Sequence, residues 1–148
     1  MNISIRKMKD SDYESLCRLL SDKRVMEYLE PPFSDEKTAR FMRENGLSEQ
    51  PRIFSVDKDD EFIGYVIYHP YDGNSMEIGW VLLPECWGQG IATSLTERLV
   101  QQTRAKGKKA IIECSPRQEA TKRVAEKCGF HYRGKADVLD IYINQSGS

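Results

Sequence analysis

The stretch from Ser75 to Gly107, SMEIGWVLLPECWGQGIATSLTERLVQQTRAKG, restricts what this chain can fold into more than any other. Met76, Ile78, Trp80 and Leu82 alternate with Glu77 and Gly79, the period of two that marks a strand. A turn with Pro84 and a small-residue segment, Trp87-Gly88-Gln89-Gly90-Ile91-Ala92, comes next. Ile91, Leu95 and Leu99 then recur at helical spacing until Gly107 stops the helix. A strand that feeds a glycine-rich turn and then a helix start is a device for holding an anion. The first amides of a helix have no internal partner, and the helix dipole adds partial positive charge there. Gly88 and Gly90 carry no side chain to keep a diphosphate away from the backbone.

The rest of the chain supplies elements around this unit. Asn2 to Met8 alternates as a strand, and Asp10-Ser11-Asp12 opens a helix to about Leu20 with Leu16, Leu19 and Leu20 inward. Asp22 to Leu29 reads as a second short helix stopped by Pro31-Pro32. Ser34-Asp35-Glu36-Lys37 resembles a capping box for a third helix, which Gly46 ends after Asn45. Arg52–Val56 and Phe62–His69 read as strands joined by a polar turn, with Gly64 at a bulge and Pro70–Asn74 as the next turn. After the long helix come a strand at Lys109–Cys114, a helix at Gln118–Cys128 and a terminal hairpin, Phe130–Gly134 with Val138–Ile143. The strand–helix–strand path predicts a parallel, right-handed crossover in an otherwise antiparallel sheet with helices on both faces, an α+β composition. Residues 1–143 read as a single domain and 144–148 as a flexible tail.

Composition narrows the function classes. A formal net charge of −1 argues against nucleic acid as the main ligand. No apolar run approaches a membrane span, and MNISIRKMKD lacks a signal-peptide core, so the expectation is a cytoplasmic protein with no membrane partner. Cys17, Cys86, Cys114 and Cys128 have no paired spacing and read as reduced thiols. With only His69 and His131 beside them, no metal site is expected. Cys86 flanks the anion loop, which leaves open a partly exposed thiol of lowered pKa.

Two phosphate-binding readings fail or weaken on inspection. A P-loop needs Lys and then Ser/Thr after the second glycine, where Ile91 and Ala92 stand. A dinucleotide fingerprint finds its first two glycines in Gly88 and Gly90, and a ribose-binding acid in Glu113. Thr93, however, occupies its third glycine position, and the chain has only one strand–helix–strand unit.

Two blocks carry a resemblance instead. Met76-Glu77-Ile78-Gly79-Trp80 with Trp87-Gly88-Gln89-Gly90-Ile91-Ala92-Thr93 is the first, and Glu119-Ala120-Thr121 through Ala125-Glu126-Lys127-Cys128-Gly129-Phe130 is the second. In this order and separation they resemble the GNAT superfamily of acetyl-CoA-dependent N-acetyltransferases, closest to the branch of ribosomal-protein N-terminal (Rim-type) enzymes. The resemblance implies a V-shaped splay at the central parallel strand pair. It makes acetyl-CoA the co-substrate, its pantetheine arm along Leu82 and Leu83 and its diphosphate on the amides of Trp87, Gly88, Gln89, Gly90, Ile91, Ala92 and Thr93. Gln118 and Thr121 stand where the family has Asn and Ser on the second helix, and join the implied cofactor-binding set.

For chemistry, the resemblance places Glu77 at the acidic position that takes a proton from the acceptor amine, and a backbone N–H near Leu82 as the oxyanion donor. Many relatives place a general-acid Tyr four residues before the Gly-Phe pair, where this chain has Ala125; a water or Ser115 is the substitute to consider. The acceptor, a protein N-terminus or a small amine, is expected over the segment holding Arg24, Glu27, Tyr28, Glu30, Asp35 and Glu36. A homodimer is compatible with the sequence. A catalytically idle CoA-binding module of the same fold is the competing reading, motivated by Ala125 and Gln118. From residues alone, His69 and His131 read as surface or packed side chains.

Overall fold

The alternating segment at the centre of the sequence is strand β4 (Ser75–Leu82) in the computed structural model, which describes residues 1–144. The other strands are β1 (Ile3–Arg6), β2 (Ile53–Lys58), β3 (Glu61–Asp72), β5 (Lys109–Cys114), β6 (His131–Ala136) and β7 (Leu139–Asn144). The helices are α1 (Tyr13–Leu20), α2 (Lys23–Met26), α3 (Asp35–Asn45), α4 (Ile91–Ala105) and α5 (Glu119–Lys127). The strands run in the order β1-β2-β3-β4-β5-β7-β6, and β4 with β5 is the parallel pair. This is the mixed, mostly antiparallel α+β sheet that the element order predicts. Contacts divide the chain into two compact units, Met1–Ile67 with Trp80–Gln89, and Tyr68–Gly79 with the residues from Gly90 on. Strands β3 and β4 each contribute one end to each unit.

The first unit is an antiparallel meander under α1, α2 and α3. Leu16, Leu19 and Leu20 of α1 are all buried, as their spacing predicts, and pack with Met26, Phe33 and Met42. Ser34 caps α3 by accepting from the Lys37 amide at 3.1 Å. The helix after Asp22 is a single turn, because the Asp22 carboxylate caps it at Arg24 and Val25 and the chain leaves helical geometry after Glu27. Register slips between Val56 and Asp57, opposite Gly64 and Phe62, which places the expected bulge. Gly64 is obligatory there. A Cβ on it would lie 2.1 Å from the Val81 carbonyl oxygen.

In the second unit α4 buries Ile91, Leu95 and Leu99, and Gly107 ends it at φ +70. Strand β7 lies between β5 and β6, antiparallel to both, with Ile111↔Ile143 and Glu113↔Ile141 on one side and Tyr132↔Tyr142 on the other. The β4–β5 register runs from Ser75↔Lys109 to Glu77↔Ile111, while β4 itself continues to Leu82 and β5 to Cys114. Two expectations change here. Pro70 lies inside β3, which continues to Asp72, so the turn is only Gly73-Asn74; the Asp72 carboxylate organises it by accepting from the Asn74 amide and the Ser75 hydroxyl. Asn144, assigned to the tail by sequence, ends β7 and is buried, its side-chain amide donating to the Cys128 carbonyl at 2.9 Å. The remainder of that tail, 145–148, lies outside the described residues.

Candidate active site

The anion loop forms because its glycines take a conformation other residues resist. Gly88 and Gly90 sit at φ +74 and +80, and a Cβ on either would meet nothing within 4 Å. Gly90 is the N-cap of α4, so no side chain caps this helix, and its first turn contains no acidic residue. Helix α3 differs: Ser34 caps it and Asp35 and Glu36 occupy its first turn. The amides from Gly88 through Thr93 therefore have no acceptor among the described residues, the first inward bond of the helix being Ser94 N–H to the Gly90 carbonyl at 3.1 Å. A run of such amides at a helix start has the donors to hold an anion. The Trp87 amide is excluded from it, because it already donates to the Pro84 carbonyl at 3.1 Å.

The indole of Trp87 does something the sequence did not suggest. Although Trp87 is 49% exposed, its Nε1 donates to the Leu82 carbonyl at 2.9 Å. Leu83 donates its amide to the Ile63 carbonyl on β3 at 2.8 Å, so it has no amide left for a pantetheine arm. Strand alternation then turns the Leu82 N–H away from β3. Of the two leucines, Leu82 retains the donor that an oxyanion needs, while its carbonyl is held by Trp87. Nearby, Lys58 Nζ donates to Gln89 Oε1 at 2.9 Å, and Gln89 Nε2 donates to the Glu85 carbonyl at 3.0 Å, which fixes the side chain between the two glycines. Cys86 is buried, and that burial pushes its thiol pKa up. The reactive-thiol reading of Cys86 is thereby overturned.

On the second helix the two implied cofactor contacts diverge. Gln118 spends its side-chain carbonyl locally, accepting from the Ser115 amide at 2.8 Å, and shapes the turn before α5. Ser115 Oγ in turn accepts from the Arg117 amide at 3.3 Å. Thr121 lies in the first turn of α5 and is half-buried. Lys122, one residue further along α5, pairs with Asp140 at 3.2 Å. Ala125 is fully buried in the core.

Glu77 stands on β4 facing opposite to the buried Met76 and Ile78, with its side chain 20% exposed. His69, Tyr71 and Glu113, none of them read from sequence as a partner of Glu77, lie on the same part of the sheet. His69 Nε2 lies 3.6 Å from Glu77 Oε1. Tyr71, two residues along β3, donates its hydroxyl to Glu113 Oε2 at 3.0 Å. Burial first and the Glu113 carboxylate second push the Tyr71 phenol pKa upward, with Glu77 adding to the effect. Glu113, considered above as a ribose ligand, is thus a partner of Tyr71 and follows Ile111 by one strand period on the face that carries Glu77. On the segment expected to receive the acceptor, Asp22 pairs with Arg24 at 2.9 Å and Glu30 with Lys37 at 3.1 Å, so two of its carboxylates are paired within the segment. Among the described residues no cluster of His, Cys, Asp and Glu is arranged to hold a metal, and no helix is long and apolar enough to cross a membrane.

The chain is similar to known proteins in sequence and in fold. The acetyltransferase (GNAT) domain family matches residues 2–131. The uncharacterized N-acetyltransferase YnaD of Bacillus subtilis is 25% identical over 135 residues, covering 88% of this chain and 79% of that protein. An acetyltransferase of the GNAT family from Bacillus anthracis superposes with a TM-score of 0.82 at 26% identity, over 97% of this chain and 93% of the other. RimL, a ribosomal L7/L12 α-N-protein acetyltransferase in complex with coenzyme A, gives a TM-score of 0.83 at 19% identity, covering 97% and 94%.

Proposed function

Since the chain belongs to the GNAT acetyltransferases, a family of N-acetyltransferases with acetyl-CoA as co-substrate, we propose that it moves the acetyl group to a primary amine by direct attack in a ternary complex. The observation that carries this is the run of unsatisfied amides from Gly88 through Thr93, open at both glycines and bare of any capping carboxylate. A coenzyme's diphosphate answers that run, and its thioester then reaches the Leu82 N–H. A protein N-terminus or a small amine is the acceptor, within one domain that the sequence bounds at 1–143 and β7 extends to Asn144.

The chemistry needs little from the protein beyond placement and one base. An ammonium has no lone pair, and amine pKa values of about 8 for an N-terminus or ~10.4 for a lysine-like amine leave it protonated near neutrality. Glu77 takes that proton. The neutral nitrogen attacks the thioester carbonyl carbon, the oxyanion is met by the Leu82 N–H, and the C–S bond breaks. A thiol of pKa about 8.5 is a good leaving group, so a buried Ala125 in place of an acid is no obstacle. Gln118, Lys122 and Ser115 are structural here, and Thr121 is the contact on α5 that stays in the cofactor-binding set.

The test is release of CoA thiol from acetyl-CoA against a panel of spermidine, an aminoglycoside and N-terminal peptides, with CoA binding followed by calorimetry. Turnover of one acceptor with binding abolished by bulk at Gly88 is expected. Tight CoA binding with silence across the whole panel would instead establish an idle module.

A further inference from the structure

His69 is oriented in a way that a merely packed side chain does not require. Its ring is only 11% exposed, and Nδ1 lies 2.9 Å from the Pro70 carbonyl oxygen. A carbonyl can only accept, so Nδ1 carries the hydrogen in that bond. In the neutral ring Nε2 is then the acceptor atom, and Nε2 is the atom that faces Glu77 Oε1 at 3.6 Å. A neutral ring nitrogen beside a carboxylate is two acceptors facing each other. One added proton turns the same geometry into an ion pair.

We infer that His69 and Glu77 act as one proton-holding pair, in which Glu77 takes the proton from the acceptor ammonium and His69 Nε2 receives it. This rests on the reading of Glu77 as the base. With ordinary pKa values near ~6.5 for imidazole and ~4.3 for a glutamate, the proton prefers the ring about a hundredfold even before the carboxylate's charge is counted. The carboxylate stays ionised beside the imidazolium and holds it. The separation exceeds a formed N–H···O bond of roughly 2.7–3.2 Å, so the pair closes by a small side-chain rotation when the proton arrives.

The step balances. One ammonium N–H bond breaks, its electron pair stays on nitrogen, and an N–H bond forms at His69 Nε2. The amine attacks; as the C–S bond breaks, its remaining surplus proton leaves with the thiolate as CoA thiol. The imidazolium returns its proton to solvent when product leaves. His69 is therefore a positioning and proton-holding residue that works through Glu77. Tyr71 and Glu113 also face the pair, and they occupy each other at 3.0 Å. Arg133 on β6 is a cation felt at Tyr71 and Asp72, on the same end of β3.

Proton NMR decides this without any acetylation assay. The full chain has two histidines, so a His131→Asn variant assigns the two ring signals. In wild type, the His69 midpoint is expected above the roughly 6.5 of a solvated imidazole, and about one pH unit above its value in Glu77→Gln. A wild-type midpoint at or below that of a solvated ring overturns the pair with no variant needed, as does an equal midpoint in the variant. Kinetics with spermidine, or the first panel amine turned over, add a second readout. His69→Gln is expected to lower kcat tenfold or more at unchanged KM for acetyl-CoA. It should also move the acid limb of kcat/KM down by about two pH units, from the ring toward the carboxylate. An unmoved limb removes His69 from the reaction. Absence of turnover with every amine would count against the transfer reading alone, because the NMR midpoints still decide the pair.

Discussion

Two groups of charges, one in each unit, show how differently a fold can treat carboxylates. In the first unit Arg6 is gripped from both sides: its guanidinium reaches Asp12 at 2.8 and 2.9 Å and Asp57 at 2.7 and 3.1 Å. Asp12 also accepts from the Lys9 amide and the Ser55 hydroxyl, each at 2.9 Å, so its lone pairs are used up. In the second unit Glu77 faces His69 across 3.6 Å, and Glu113 accepts from the Tyr71 hydroxyl with no close cation bonded to it among the described residues. The first group is closed and serves stability. The second sets carboxylates beside a titratable ring and a phenol, the kind of grouping that the proposed transfer to an amine would use.

Substitutions in each group should break this contrast in opposite ways. The largest effect is expected for Glu77→Gln, a loss of about a hundredfold in kcat/KM in the thiol-release assay, with the thermal midpoint little changed because glutamine keeps the shape of the side chain. A melting-point drop of many degrees would show Glu77 to be structural after all. Next comes Asp12→Asn, with about 2 kcal/mol lost in urea unfolding at pH 7, since Arg6 would keep one carboxylate in place of two. Burial works against the ionised form of Asp12, but Arg6, the Lys9 amide and Ser55 outweigh it and hold its pKa below the ordinary value. Its folded pKa is depressed, so its contribution is fully present above the unfolded pKa of about 3.9 and fades as pH falls below that. The gap between variant and wild type should therefore narrow below about pH 4; a gap that widens there contradicts the assignment.

Smaller changes sharpen the picture at the loop and the rim. Gly90→Ala puts a side chain at φ +80 and fills the open space beside the amides. Calorimetry should show CoA binding about tenfold weaker, and equal affinity would mean that the diphosphate lies elsewhere. Tyr71→Phe removes one hydroxyl from Glu113 and is expected to change kcat/KM by only about threefold, through acceptor KM. A larger loss in kcat would promote Tyr71 to a direct role.

Much of this was readable in the residues, and what was not has identifiable causes. The frame from Met76 to Gly107 is local: alternation, two glycines at positive φ and three helically spaced apolar residues each declare themselves. The pairing of His69 with Glu77 was hidden by a turn. Reading Pro70–Asn74 as a turn takes the end of β3 out of the sheet, whereas a two-residue turn at Gly73-Asn74 folds His69 back beside Glu77. Pro70 is tolerated there because a strand needs its N–H only where a neighbour accepts it. Cys86 failed for a different reason, since burial dominates its thiol and no spacing rule reports burial. Gln118 and the Trp87 amide look like ligand contacts in the sequence, and only coordinates reveal that each already has a local partner.

The placement of β7 has a consequence for how the chain is made. Because β7 sits between β5 and β6 in the sheet yet follows both in sequence, β6 leaves the ribosome before its neighbour exists, and one side of β5 waits bare beside it. The residues from Leu139 to Asn144 act as a late zip that closes two open edges in one event. A nascent chain stalled before Leu139 would therefore expose two adhesive strands at once, and would be the species most in need of a chaperone.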